Sequence, residues 1–389
     1  MPTAIVLGAG MVGSVMAADL AADFHVTIAD SREPALAAAV ARAAAQKRTI
    51  KPLRADLADP TALKKAIAPF DIVIGALASR IGFQTLRAVI ESRKNFCDIA
   101  FFAEDALELD ALAKEHDVTA VLDCGVAPGM SNMICGREVS EFEKAGGKAE
   151  SLAIYVGGLP RERRWPFQYK AGFAPSDVIE EYTRPTRLVE NNQLVVREAL
   201  TEPEFLDFTG LGTLEAVNTD GLRSLATTFR GRVAKMKEKT LRYPGHYDLM
   251  RAFKETGLFS EDEIDVAGRK VKPRDLTAAL MFPKWTYQPG EEDLTVMRIT
   301  VEGTRGNQRE RITWDLVDFF DKPTQSTSMS RTTGLACTAV ARLIAGGTLK
   351  QAGVLPPEKL GAMSGVLDAV LERLAAQGIR YSRRAEHES

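Results

Sequence analysis

Gly8-Ala9-Gly10-Met11-Val12-Gly13 is the first stretch whose residue types and spacing could do chemistry. Three glycines at this spacing let a chain turn tightly after a strand, bring its backbone against a pyrophosphate and pack a helix close to that strand. The helix that follows offers unpaired N–H groups and its positive dipole end to phosphate. Gly8, Gly10, Met11, Val12 and Gly13 are therefore the expected phosphate-binding residues of a dinucleotide site. Asp30 ends the next apolar run, at the distance where a carboxylate bonds the adenosine ribose and repels a 2′-phosphate. It predicts NAD rather than NADP, with Arg32 nearby as the residue that could accept a phosphate instead. Ala76, Leu77 and Ala78 close a later apolar run and are the expected cofactor wall. Asp98 and Asp123 close two more. In an open parallel sheet, ligands sit beyond the carboxyl ends of the strands. Each carboxylate is a candidate to take a proton from a substrate, and each could equally cap the loop after it. His246 has the side chain best suited by its ordinary pKa of about 6.5 to base work at neutral pH, or it is a cap at a helix start.

These residues need a scaffold, and the apolar pattern supplies one. Short apolar runs over 4–7, 26–29, 50–53, 71–76, 95–98 and 119–123 read as strands. Helical patterns over 11–22, 34–45, 61–68, 83–92 and 103–116 lie between them. Strand–helix alternation of this kind predicts a doubly wound parallel sheet, the Rossmann arrangement. Asp59-Pro60 suits a helix start, with Asp as cap and Pro in the first turn. After Gly129 longer strand candidates appear, over 150–156, 193–198, 294–302 and 308–316, which predict an α+β domain with a mixed, largely antiparallel sheet. Helices return over 335–345 and 363–377, and the polar tail from 383 is expected to fray. The fold class is thus α/β followed by α+β. The expected domains are 1–128 for NAD, 129–332 for substrate and dimerisation, and 333–389 as a helical segment.

Composition narrows the class. With 389 residues, 45% hydrophobic and 26% charged, the chain has material for two ordinary cores. A formal net charge of −2 gives no general attraction to nucleic acid or to an anionic membrane. No apolar run is long enough to span a bilayer and the first residues lack a signal-peptide pattern, so a cytoplasmic location is expected. The cysteines Cys97, Cys124, Cys135 and Cys337 form no C-x-x-C, and with four histidines they complete no zinc spacing. No metal is expected, and reduced thiols packed as small apolar side chains are.

GAGMVG at 8–13, DCGVAPGMSN at 123–132, YVGGLP at 155–160 and KTLRYPGH at 239–246, with a looser NTDGLRSL at 218–225, resemble the saccharopine dehydrogenase-like family. The resemblance spans nearly the whole chain. It implies a Rossmann domain, a mixed-sheet domain that binds substrate and mediates homodimerisation, and a C-terminal segment that returns to the first domain. Saccharopine reductases of the family typically carry an Asp before the Pro-Gly, where this chain has Ala127, and a Tyr on the preceding strand-end loop, where it reads Cys97-Asp98-Ile99-Ala100. VAPG, an acidic strand end and RYPGH look more like the family's lysine 6-dehydrogenases.

That likeness implies oxidation of the ε-amine of L-lysine with NAD, giving an imine that hydrolyses to 2-aminoadipate 6-semialdehyde and cyclises. The alternatives are saccharopine or another secondary amine as substrate, or a dinucleotide-binding protein without catalysis. A lysine ammonium, with a pKa of about 10.4, has no lone pair to drive hydride departure, so the site must accept its proton. Asp123, His246 and Asp98 are the candidates. For the α-carboxylate the expected cations are Arg242, Arg223 and Lys170, and for the α-ammonium Thr219 and Asp220. Gly157 and Gly158 are expected to bring backbone close to substrate.

Overall fold

The computed structural model describes residues 1–306 and 308–388. The chain divides into two compact units, residues 1–141 with 321–381 and residues 142–320 with the tail from 382.

The first unit begins as strict alternation: β1 (Thr3–Leu7), α1 (Met11–Leu20), β2 (His25–Asp30), α2 (Glu33–Ala45), β3 (Ile50–Arg54), α3 (Pro60–Ile67), β4 (Ile72–Gly75), α4 (Gly82–Glu91), β5 (Asn95–Asp98), α5 (Asp110–Glu115), β6 (Thr119–Val121) and α6 (Met130–Lys144). The second unit follows with β7 (Lys148–Pro160), α7 (Pro175–Thr183), β8 (Thr186–Glu190), β9 (Gln193–Arg197), β10 (Glu204–Phe208), β11 (Gly212–Asn218), α8 (Leu225–Thr228), β12 (Lys235–Arg242), α9 (His246–Glu255), β13 (Ile264–Val266), β14 (Arg269–Val271), α10 (Pro273–Trp285), β15 (Asp293–Arg305) and β16 (Gln308–Phe319). The chain then returns through α11 (Ser328–Ala345), β17 (Gly353–Leu355), α12 (Pro357–Ala362) and α13 (Val366–Ala376), and ends in β18 (Tyr381–Glu388).

In the first unit seven parallel strands are ordered β17-β6-β5-β4-β1-β2-β3. The inner strands β1, β4, β5 and β6 are buried on both faces because helices cover both, whereas the edge strand β3 is mostly exposed; Ile5, Leu7, Val73, Phe96 and Ala120 sit in one buried cluster. The order reverses between β1 and β4, which pair in parallel from Ala4 with Ile72 to Leu7 with Gly75. Such a reversal opens a crevice at the carboxyl ends of the strands. Asp59 caps α3 as expected, accepting from the Thr61 N–H at 2.9 Å.

The returning segment is pinned to α1 by Arg342 of α11, whose guanidinium reaches Asp19 at 2.6 Å and Asp23 at 2.7 Å. α6 is tied to the same segment by Asn132 to Glu358 at 3.4 Å and Arg137 to Asp368 at 2.9 Å. Arg42 of α2 bonds the Thr324 carbonyl at 3.2 Å and Ser326 Oγ at 3.0 Å. The unit edges accordingly fall at 141/142 and 320/321, where the sequence reading puts them at 128/129 and 332/333.

The second unit is a mixed sheet along β10-β11-β12-β7-β15-β16-β18, with β8 and β9 branching from β12. β7 is its axis, pairing in parallel with β12 and antiparallel with β15. An aromatic core including Phe167, Tyr169, Tyr182, Tyr247 and Trp285 packs against it.

Two expectations fail here. The tail does not fray: β18 lies beside β16, a charged edge strand with no apolar alternation to announce it, while Ser389 lies outside the described residues. α11 begins at Ser328 rather than near 335, capped by the Thr327 side chain on the Ser330 N–H at 3.3 Å. Its first turns are Ser, Thr and Gly, poor helix formers that tertiary burial overrides.

Candidate functional site

The phosphate loop forms as its glycines require. Gly8 has φ +102°, and a Cβ there would meet the Ala76 carbonyl oxygen at 2.4 Å. A Cβ at Gly13 would lie 2.0 Å from the Gly8 carbonyl oxygen, so α1 packs directly on the turn. Space over Gly10 is open, and Gly10 caps α1 with no side chain over the first N–H groups. Met11 is exposed, and Val12, Ala76 and Leu77 are half-buried with Ala78 exposed, so both walls of the crevice are accessible. These features fit a dinucleotide held by Gly8, Gly10, Met11, Val12 and Gly13, with Ala76, Leu77 and Ala78 opposite.

Asp30 ends β2, but its carboxylate is fully engaged. It accepts from Ala9 N–H at 2.8 Å, from Arg32 N–H at 2.9 Å, and from the Arg32 fork at 3.1 Å through both Nε and Nη2. Burial alone would raise its pKa. The Arg32 guanidinium and the two backbone N–H groups outweigh that and hold it below the ordinary value. The Arg32 side chain is 67% exposed, so it can swing aside for a ribose hydroxyl.

Asp98 ends β5 and is 2% exposed. Its Oδ1 accepts from the Ala100 N–H at 3.1 Å and occupies the space a side chain at Gly75 would need. No cation pairs with it among the described residues. Burial pushes its pKa to about 7, with the Asp123 charge adding and backbone N–H groups opposing. Asp123, half-buried with φ +50°, stands in the turn after β6. The two carboxyl groups thus act on one another. Beside them, Cys97, Cys124 and Cys337 bring their sulfurs within 4.8 Å of one another, a convergence that local spacing could not reveal.

The second unit collects a different set. Arg242 ends β12 and is buried, with its guanidinium carbon 4.5 Å from the Tyr169 ring centre and 5.7 Å from that of Tyr182. Its Nε donates to Tyr182 Oη at 2.9 Å and its Nη2 lies 3.7 Å from Glu181. Tyr182 Oη is 2.9 Å from His246 Nε2, and His246 Nδ1 is 2.9 Å from the Phe167 carbonyl oxygen. A carbonyl only accepts, so Nδ1 carries the proton and Nε2 accepts from the tyrosine. Burial, then the Arg242 charge, pushes His246 down to about 3. Both its nitrogens are occupied and the ring stays neutral.

Thr219 joins this network. Its hydroxyl bonds Glu238 at 2.7 Å and Thr240 at 2.9 Å, and Thr240 in turn donates to Glu181. Burial raises Glu238 to about 8. Asp220 is instead bound to Arg187 at 2.8 Å and Lys170 to Glu291 at 2.5 Å. Arg223 is buried with φ +53°. At Gly157 the close approach is to the neighbouring strand, since a Cβ would meet the Leu241 carbonyl oxygen at 2.4 Å; Gly158 follows it, paired with Thr295. Tyr169, Glu181, Tyr182 and Glu238 escaped the sequence reading because they lie in no motif. Their shared signal is long-range contact with Arg242 and Thr219.

Family comparison settles what kind of chain combines these parts. The family model described as the saccharopine dehydrogenase C-terminal domain matches residues 125–379, and that of the saccharopine dehydrogenase NADP binding domain matches residues 4–121. The chain belongs to the saccharopine dehydrogenase family. Among its relatives, the saccharopine dehydrogenase [NADP(+), L-glutamate-forming] of Schizosaccharomyces pombe is 22% identical over 85% of this chain and 87% of that protein. The alpha-aminoadipic semialdehyde synthase of Arabidopsis thaliana is 22% identical over 87% of this chain and 39% of that protein. The solved apo saccharopine dehydrogenase (L-Glu forming) of Saccharomyces cerevisiae shares the fold, with a TM-score of 0.82 at 18% identity over 99% of this chain and 100% of that one. The α/β class with a second mixed-sheet unit is the saccharopine dehydrogenase fold. Among the described residues no helix is long and apolar enough to cross a membrane.

Proposed function

We propose that this member of the family oxidises the ε-amine of L-lysine to 2-aminoadipate 6-semialdehyde, using NAD in preference to NADP. The observation that carries the choice of substrate is charge balance in the second unit. Lys170 is bound to Glu291 at 2.5 Å and Arg187 to Asp220 at 2.8 Å, whereas Arg242 stands 3.7 Å from Glu181, so of these three cations Arg242 is the one left for a single substrate carboxylate. That balance suits an amino acid with one carboxylate and one ammonium at its α-carbon better than saccharopine, which carries three carboxylates. Saccharopine is the second reading, favoured by the names of the matched relatives.

When bound, the nicotinamide supplies the hydride acceptor. The chain's own residues do the rest. Asp123, the more exposed acid, holds the substrate ammonium. The Asp98–Asp123 pair takes its proton, with Asp98 poised near neutrality by burial. The same pair later polarises the water that attacks the imine carbon. Arg242 binds the α-carboxylate as a planar donor held by Tyr182 and Tyr169. His246 is a positioning residue: it fixes Tyr182, which fixes Arg242. Preference for NAD rests on Asp30, whose charge opposes a 2′-phosphate.

The test follows the absorbance of reduced cofactor with lysine, saccharopine or ornithine, each with NAD and NADP. Lysine with NAD is expected to give the highest kcat/KM. Faster turnover of saccharopine with NADP would overturn this reading in favour of the second.

Assembly as a homodimer is also proposed, on the family likeness. The strands over 294–316 cannot extend a sheet across its interface, because β15 and β16 each have neighbours on both sides; β10, β18 and the branch strand β9 are the edges. Light scattering that finds a monomer at micromolar concentration would remove the proposal.

A further inference from the structure

The fold gathers three of the four cysteines from elements far apart in sequence. Cys97 lies near the end of β5, Cys124 in the turn after β6 and Cys337 in the middle of α11. All three side chains are wholly buried and their sulfurs lie within 4.8 Å of one another. The Cys337 thiol donates to Cys97 Sγ at 3.3 Å, and the Cys97 thiol to the Cys337 carbonyl oxygen at 3.4 Å. Burial pushes the Cys97 and Cys337 thiols up.

A single buried cysteine is ordinarily a small apolar side chain. Three sulfurs in mutual reach are also a chelate. Three sulfurs each about 2.3 Å from one ion lie at most about 4.0 Å from one another; Cys97 and Cys337 are already 3.3 Å apart and no pair exceeds 4.8 Å, so side-chain shifts of under about 1 Å close the set. We propose that Cys97, Cys124 and Cys337 form a tris-thiolate binding site for a thiophilic trivalent metalloid, arsenic(III) or antimony(III).

Charge selects the trivalent ion. All three sulfurs are wholly buried, so any charge left on the complex would be poorly solvated. Three thiolates around a divalent ion leave a net charge of −1, and around copper(I) −2. A net charge in a fully buried pocket costs several kcal/mol, of order. Three thiolates around arsenic(III) leave none. Arsenous acid and three thiols give the tris-thiolate and three waters. Three As–O bonds break, three As–S bonds form, and neither arsenic nor sulfur changes oxidation state. Ligation would tie β5, the turn after β6 and α11 together next to both acids. Entry requires local opening, so uptake is slow.

The test is prolonged incubation of the reduced chain with sodium arsenite, followed by native mass spectrometry and arsenic X-ray absorption. The expected result is one arsenic per chain with loss of three hydrogens, and three sulfur neighbours at the arsenic. Cys97→Ser, Cys124→Ser and Cys337→Ser should each weaken retention by about 100-fold or more, the loss of one arm of a chelate. Cys135→Ala serves as control and should bind as the unmodified chain does. The absorption spectrum needs no variant, so a serine substitution that disturbs folding leaves the proposal testable. No retained arsenic, fewer than three sulfur neighbours, or displacement of arsenic by equimolar cadmium(II) would overturn it.

Discussion

The two units bury ionisable groups in opposite ways. In the first, Asp98 is enclosed with another carboxylate for company and no cation, so its proton is held until about pH 7. In the second, Arg242 is enclosed among Tyr169, Tyr182 and Glu181, and burial, then the Arg242 charge, keeps His246 neutral down to about 3. The group with the ordinary pKa for neutral-pH chemistry has been moved out of range, and a group with an acidic one has been moved into it. Environment, rather than residue type, sets the protonation state of both groups.

The largest effect that could break this contrast is at Asp123. Asp123→Asn should lower kcat on lysine by about 100- to 10,000-fold, the range for an acid–base group, while NAD binding by calorimetry stays unchanged. Near-full kcat would remove Asp123 from the proton path.

Arg242→Ala should come next. It leaves Tyr182 and Glu181 without their buried cation and is expected to cost about 3–5 kcal/mol of stability in urea unfolding. A loss well below 1 kcal/mol would show that Arg242 is not the centre of the second cluster.

A smaller effect sharpens the contrast through pH. His246 titrates near 3 when folded and near 6.5 when unfolded. Between those values the unfolded chain binds more protons, so the His246 contribution is present above about 6.5 and is lost as pH falls towards 3. His246→Gln should flatten that acid limb in urea unfolding measured across the range. An unchanged limb would mean that His246 is already protonated in the folded chain.

Asp30→Ala should have the least effect, weakening NAD about tenfold, or about 1.4 kcal/mol, and narrowing the preference over NADP. Unmodified protein that binds both cofactors equally would contradict the reading of Asp30 at once.

The same contrast decides what the sequence could reveal. The phosphate loop is contiguous, and backbone geometry fixes which residue type stands at each position, so Gly8, Gly10 and Gly13 were legible. So were six of the seven parallel strands, the inner ones marked by apolar runs; β17 (Gly353–Leu355) is three residues long and was missed. The Arg242 cluster was legible only in fragments. Arg242 and His246 stand in one motif, but Tyr182 is 60 residues from Arg242 and enters through a helix with no motif at all. His246 looked like a base because its ordinary pKa is visible in the sequence and its surroundings are not. Cys97 and Cys337, 240 residues apart, show the same limit. β18 was hidden for another reason: as a charged edge strand it carries none of the alternation that marks a half-buried strand.

The central claim is that Asp98, and not His246, sets the proton equilibrium near neutrality. It is tested most directly by the pH dependence of kcat/KM for lysine in the unmodified chain, Asp98→Asn and His246→Gln. The unmodified chain and His246→Gln should share an inflection near pH 7, beneath the further rise as the substrate ε-amine deprotonates. Asp98→Asn should lack that inflection. An inflection that survives in Asp98→Asn and vanishes in His246→Gln would contradict the account.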